Sequence, residues 1–131
     1  MDKKYLAKII ATDHEGLQII SAVCMGAEVK IGDIKYLQNN KVFLLSLNRS
    51  KIETEKKEKK VVSIARFEFV DSVKSRNIKQ DNPALKLKLI AIDYLKNNDN
   101  YEINLIFEKN LYITLSTEII EVTLEDQNEI N

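Results

Sequence analysis

One cysteine, one proline, one histidine, three glycines and no tryptophan stand among the 131 residues of this chain. A lone Cys24 rules out an internal disulfide and gives no sign of an oxidising compartment. Gly16, Gly26 and Gly32 lie too far apart for GxGxxG or for a P-loop, so nucleotide-dependent chemistry of those kinds is not expected. There is no CxxC, no HExxH and no acidic loop with calcium spacing; the run Asp126-Gln127-Asn128-Glu129 lacks the glycine that such a loop needs. The expectation is therefore no cofactor and no metal, although carboxylates gathered from distant strands would be invisible at this level. Charge of one sign is missing too. Lysine plus arginine equals aspartate plus glutamate at 20 each, so no net field draws the whole molecule to nucleic acid or to an anionic membrane. The amino-terminal MDKKYLAKII has too short an apolar stretch for a signal peptide, and no apolar run approaches the roughly 20 residues of a membrane span. The expected location is the cytoplasm.

What the chain has in quantity is alternation. Phe67 and Phe69 share one parity, as do Leu85, Leu87 and Leu89, then Tyr101, Ile103, Leu105 and Phe107, then Leu111, Ile113 and Leu115. Apolar residues at every second position mean antiparallel strands with one buried face. Residues 4–11 read as a first strand, and residues 41–47, apolar on both parities, as a central strand covered on both sides. Leu17, Ile20 and Cys24 repeat at helical spacing after Thr12 or Asp13, either of which can cap a helix, and Gly26 supplies its stop. Residues 51–60, KIETEKKEKK, carry one apolar side chain and read as a solvated loop. A long strand from Val61 to about Lys74 requires a bulge or bend near Val70-Asp71-Ser72, where its parity breaks. Asn97 to Asn100 and Lys109-Asn110 mark turns of a meander. Residues 117–127 fit a last strand or a short carboxy-terminal helix, and the final EDQNEIN is expected to fray.

These elements give an α+β fold and a single domain, residues 1–131: a strongly bent antiparallel sheet or partial barrel of seven to eight strands, with one amphipathic helix near the amino terminus. A pleckstrin-homology-like barrel is an alternative that fits the strand count, though an early helix is foreign to its order.

Few side chains are candidates for chemistry. His14 would need a nucleophile such as Ser21 or Cys24, which the helix carries away from it, so no catalytic residue is assigned. Cys24 falls on the apolar stripe with no cation beside it in sequence, as expected of core packing. Seventeen of the twenty basic residues are lysine, which sets apart Arg49, Arg66 and Arg76. Arg49 and Arg76 each end a strand; brought together with Lys79 they would form a cluster able to hold a carboxylate or phosphate. The competing reading is that each arginine pairs with a loop acid or a strand-end carbonyl to close the sheet.

KIIATDHEGLQIISA, the Val29 to Leu37 segment with Gly32-Asp33, the strand ending Leu47-Asn48-Arg49, and the later Val73-Lys74-Ser75-Arg76-Asn77-Ile78 together resemble an alphaproteobacterial domain-of-unknown-function family, number 2948. The resemblance runs through nearly the whole chain and implies a small bacterial cytoplasmic protein, with no reaction to carry over. The functional expectation is a non-enzymatic binding or interaction module, working through a small anionic ligand, protein contacts or a homo-oligomer. A small-molecule enzyme built from Asp93, Tyr94 or Glu102 is the alternative. A nucleic-acid accessory role is a second alternative, disfavoured by the balanced charge and by the lack of aromatics in the lysine-rich run.

Overall fold

In a computed structural model, which describes residues 7–52, 58–78 and 82–130, one helix and ten strands follow one another along the chain. The strands are β1 (Lys8–Ala11), β2 (Glu28–Lys30), β3 (Ile34–Leu37), β4 (Val42–Ile52), β5 (Glu58–Phe67), β6 (Val70–Arg76), β7 (Lys86–Asn97), β8 (Asn100–Phe107), β9 (Leu111–Thr117) and β10 (Val122–Ile130); helix α1 (His14–Cys24) lies between β1 and β2. Every pairing is antiparallel, in the order β1-β10-β5-β4-β2-β7-β8-β9-β6, with β3 on β4. Antiparallel pairing with one face inward is what the period of two requires.

Ten strands replace the expected seven to eight, and the sheet does not close, so the pleckstrin-homology-like barrel is set aside. Part of the difference lies at the bend, where the expected long strand from Val61 divides into β5 and β6; within KIETEKKEKK, β4 also runs on to Ile52 and β5 begins at Glu58, residues 53–57 being outside the described residues. Backbone ladders hold a strand whose side chains have no apolar face, which a hydrophobicity pattern cannot register. The carboxy-terminal segment is a strand and not a helix: β10 pairs with β5 on one side and β1 on the other. Nor is Asp126 in a frayed end, since its carboxylate is buried.

The meander follows its alternation closely. Ile103, Leu105, Phe107, Ile113 and Leu115 are buried with Leu87 and Leu89, and this half shares one core with Phe43, Leu45, Phe67, Val122 and the helix residues Leu17, Ile20 and Cys24. The bend in the long strand is sharp. Phe69 has a φ of 58°, costly for a bulky side chain, and the β6 register shifts between Val70 and Ser72. There the chain leaves the half containing β4, β5 and β10 and enters the half containing β6 to β9.

Two gaps remain where a barrel would have closed. Helix α1 fills the first by lying along the free edge of β7. Asp13, not Thr12, caps it, accepting from the Gly16 N–H at 2.8 Å. Gly26, at φ +85°, turns the chain so that its N–H reaches the Leu89 carbonyl at 2.7 Å. The second gap, between β3 and β6, is not filled. Near Val70 they are tied by Tyr36 Oη donating to the Val70 carbonyl at 2.8 Å, and the Val70 N–H donates to the carbonyl of Lys41, just before β4, at 2.8 Å.

Candidate functional site

The interior holds a buried polar cluster of Arg49, Ser63 and Asp126. On β4, Arg49 alternates inward with Leu45 and Leu47, and its guanidinium reaches Asp126 of β10 across β5. Nη2 donates to Oδ1 at 2.9 Å and Oδ2 at 2.7 Å, Nε donates to Ser63 Oγ at 3.0 Å, and Ser63 Oγ donates to Oδ1 at 2.6 Å. The Ala7 N–H adds a bond to Oδ2 at 2.8 Å. Burial alone would raise the pKa of Asp126, yet the bonds from Ser63, Ala7 and Arg49 outweigh it and hold the carboxyl below its ordinary range. A charge so enclosed is stable only because it is paired and bonded. The Arg49 side chain is 8% exposed, and its partner carboxylate is not exposed at all.

Cys24 is buried within reach of the field of this pair. Its burial pushes the thiol up to about 12, with Arg49 pulling it down and Asp126 pushing it further up. A thiol in that environment is a small apolar group and not a nucleophile.

Arg76 lies elsewhere. It ends β6, pairs in register with Tyr112 of β9, and is exposed. Among the described residues none forms an ion pair with it. Lys79, the third member of the expected cluster, is outside the described residues. Around Arg76 the solvent side of the four-stranded unit β7-β8-β9-β6 forms a depression of about 320 Å³, lined by Arg76, Asp93, Asn104, Ile106, Tyr112 and Thr114. Cross-strand register dictates this grouping: Asp93 faces Asn104, which faces Thr114, while Ile106 faces Tyr112, which faces Arg76. Asn104 Oδ1 accepts from Thr114 Oγ1 at 2.9 Å.

Asp93 also lines a second, more apolar groove of about 430 Å³ between α1 and β7. One wall is the helix stripe His14, Gln18, Ala22 and Met25; the other is Ile90, Ala91 and Asp93. Met25 is 66% exposed and Ile90 45%, both high for large apolar side chains. Ile90 lies on the outward parity opposite Leu87 and Leu89, and the β7–β8 register shifts between Leu89 and Ala91, leaving it without a partner across the pair. Alternation places Ile90 outward but does not place the helix beside it. The groove therefore escapes sequence reading, whereas Arg76 and Asp93 were both visible in it.

The groove contains His14 and Tyr94, their rings edge-to-face at 5.2 Å between centroids. Ser21 beside them accepts the Ile92 N–H at 2.9 Å, a bond that seats the helix on the strand. No described hydrogen bond joins His14 to Ser21, Asp93 or Tyr94, so the nucleophile, base and orienting group of a hydrolytic site are not assembled here. Glu102 lies opposite Leu95 and Ser116 on the same solvent side as Asn104. Among the described residues no three histidine, cysteine, aspartate or glutamate side chains are grouped to hold a metal ion, and no helix is long and apolar enough to cross a membrane.

No curated protein and no solved structure matches the chain. Residues 7–131, which take in every element from β1 to β10, match the family described as "Protein of unknown function (DUF2948)", and the chain belongs to that family.

Proposed function

We propose that the protein is a non-enzymatic binding module whose ligand lies across the solvent side of β6 to β9 and ends against α1. The observation that carries this reading is the shared position of Asp93, which borders both the polar depression at Arg76 and the apolar groove at Met25 and Ile90. The two hollows adjoin, one charged and one greasy. From β6 to β7 is three strand spacings, about 14 Å. A ligand that used both hollows would be extended and amphipathic, with an anionic group on Arg76 and apolar groups toward the helix. Arginine suits the anionic end because its planar fork bonds a carboxylate bidentately. Asn104, Thr114 and Tyr112 offer neutral donors and acceptors between. Asp93 selects against a second anion in the middle.

The probe is acetyl-Leu-Leu-Leu with a free carboxy terminus, compared with the same peptide amidated, titrated calorimetrically and by backbone amide shifts. The free acid is expected to bind and to shift amides of β6, β7 and β9, with the amide form at least tenfold weaker. Arg76→Ala should abolish that difference, and Ile90→Asp should weaken both peptides. Equal binding of acid and amide by the native protein, or shifts confined to other strands, would refute the assignment.

A further inference from the structure

The second gap in the sheet is also a cavity, and it is independent of the face just described. Its volume is about 230 Å³, and its walls are Ile31, Ile34 and Tyr36 on the β3 side, Val73, Ser75 and Ile78 on the β6 side, with Phe43 and Ile113 below. Phe43 is 1% exposed and Ile113 4%, so the floor of the cleft is the protein core itself and not a surface patch. None of these side chains is charged. Tyr36, the most polar large group, has its hydroxyl committed to the Val70 carbonyl.

The cleft exists for a topological reason. β3 pairs with β4 and β6 pairs with β9, so each turns an unpaired edge toward the other. Beyond the tie at Val70, apolar side chains of both strands line the cavity. Filling such a gap restores dispersion contacts that its lining lacks.

We infer that this cleft is a binding site for a single unbranched hydrocarbon chain without charge, entering between β3 and β6 to rest on Phe43 and Ile113. The volume accommodates roughly eight water-sized groups at about 30 Å³ each, which sets the length at about eight carbons. Among the described residues no charged side chain lines the cleft, which sets the head group: an alcohol, aldehyde or ester in preference to a carboxylate. Size and neutrality together exclude the ligand proposed for the outer face, which is anionic and longer.

The test uses 1-octanol and octanoate, each titrated into the protein at neutral pH while side-chain methyl resonances are followed. Saturable octanol binding is expected, with the largest shifts at Ile34, Val73, Ile78 and Ile113, and octanoate should bind at least threefold more weakly. Val73→Phe, which fills the cleft from one wall, should weaken octanol at least tenfold without lowering the melting temperature. Ile34→Phe does the same from the opposite wall should the first variant fold poorly. Ile90→Asp, in the distant groove, should leave octanol binding unchanged. Non-saturating shifts spread over exposed apolar residues such as Met25 and Ile90, or full affinity retained when the cleft is filled, would overturn the site. Equal affinity for octanoate would overturn its preference for a neutral head.

Discussion

Arg49 and Arg76 look alike in sequence, each following a strand rich in apolar residues, yet one is enclosed and the other faces water. The difference comes from position within the sheet. β4 is flanked by β5 on one edge and by β2 and β3 on the other, so an inward residue near its far end has no route to solvent and must find a partner inside. Asp126 is that partner. Removing one member of a buried ion pair leaves the other charge unpaired, at a cost of about 3 to 5 kcal/mol. Arg49→Ala and Asp126→Asn are therefore each expected to lower the melting temperature sharply, while Arg76→Ala barely moves it; thermal melts of the three proteins at pH 7 decide the point. The pH dependence has a definite sign. Asp126 is held below the value of about 3.9 that it has in an unfolded chain, so its contribution is complete above that pH and is lost as pH falls through the lower folded value. The native protein should accordingly lose stability below about pH 4 more steeply than Asp126→Asn does.

At the scale of elements, the placing of α1 matters most. Its stripe of Leu17, Ile20 and Cys24 was readable from spacing, as was a cap at Thr12 or Asp13. Sequence did not reveal that the helix would serve as the missing neighbour of a strand. β2 is only three residues long and pairs with Lys86 to Lys88, so the rest of β7 presents an open edge that would otherwise invite another chain. The helix covers it, and Ser21 satisfies the Ile92 N–H. Leaving a partly buried donor unpaired costs on the order of 1 to 3 kcal/mol. Ser21→Ala should destabilise by about that much, with hydrogen exchange accelerating first at Ile92; equal exchange at Ile92 in both proteins would show the bond to be idle. The same docking creates the groove at Met25 and Ile90. Neither wall is a site alone.

For the whole molecule, the two halves of the sheet meet through the short β2 and the bent passage at Phe69, but their side chains form one cluster. A shared core implies cooperative unfolding. Cys24 reports on it directly, being buried where α1 meets the interior and having its thiol held near 12. At pH 8 a thiol reagent should label Cys24 only as fast as the chain unfolds globally, and labelling should coincide with loss of the far-UV signal. Labelling much faster than that would mean the helix opens by itself. In alkali the sign is opposite to that of Asp126. The unfolded chain releases this proton near pH 9 whereas the folded chain retains it, so stability declines from about pH 9 towards 12.

Sequence alone determined the strands of the meander, the inward parity of Leu87, Ile103, Leu105 and Ile113, and the helix with its buried stripe. All are set by local periodicity, because burying one face of a strand or helix is enough to fix which side chains turn inward. It also singled out Arg76 as an anion-binding candidate and Asp93 as a residue of an alternative enzyme site, without joining them. Tertiary structure alone decided that residues 51–52 and 58–60 extend two strands, that Asp126 lies in the interior, that Ile90 borders a groove and that β3 and β6 stay apart. Each depends on contacts between residues distant in the chain, whose energies arise only after the sheet has bent. No pattern of neighbouring residues records them.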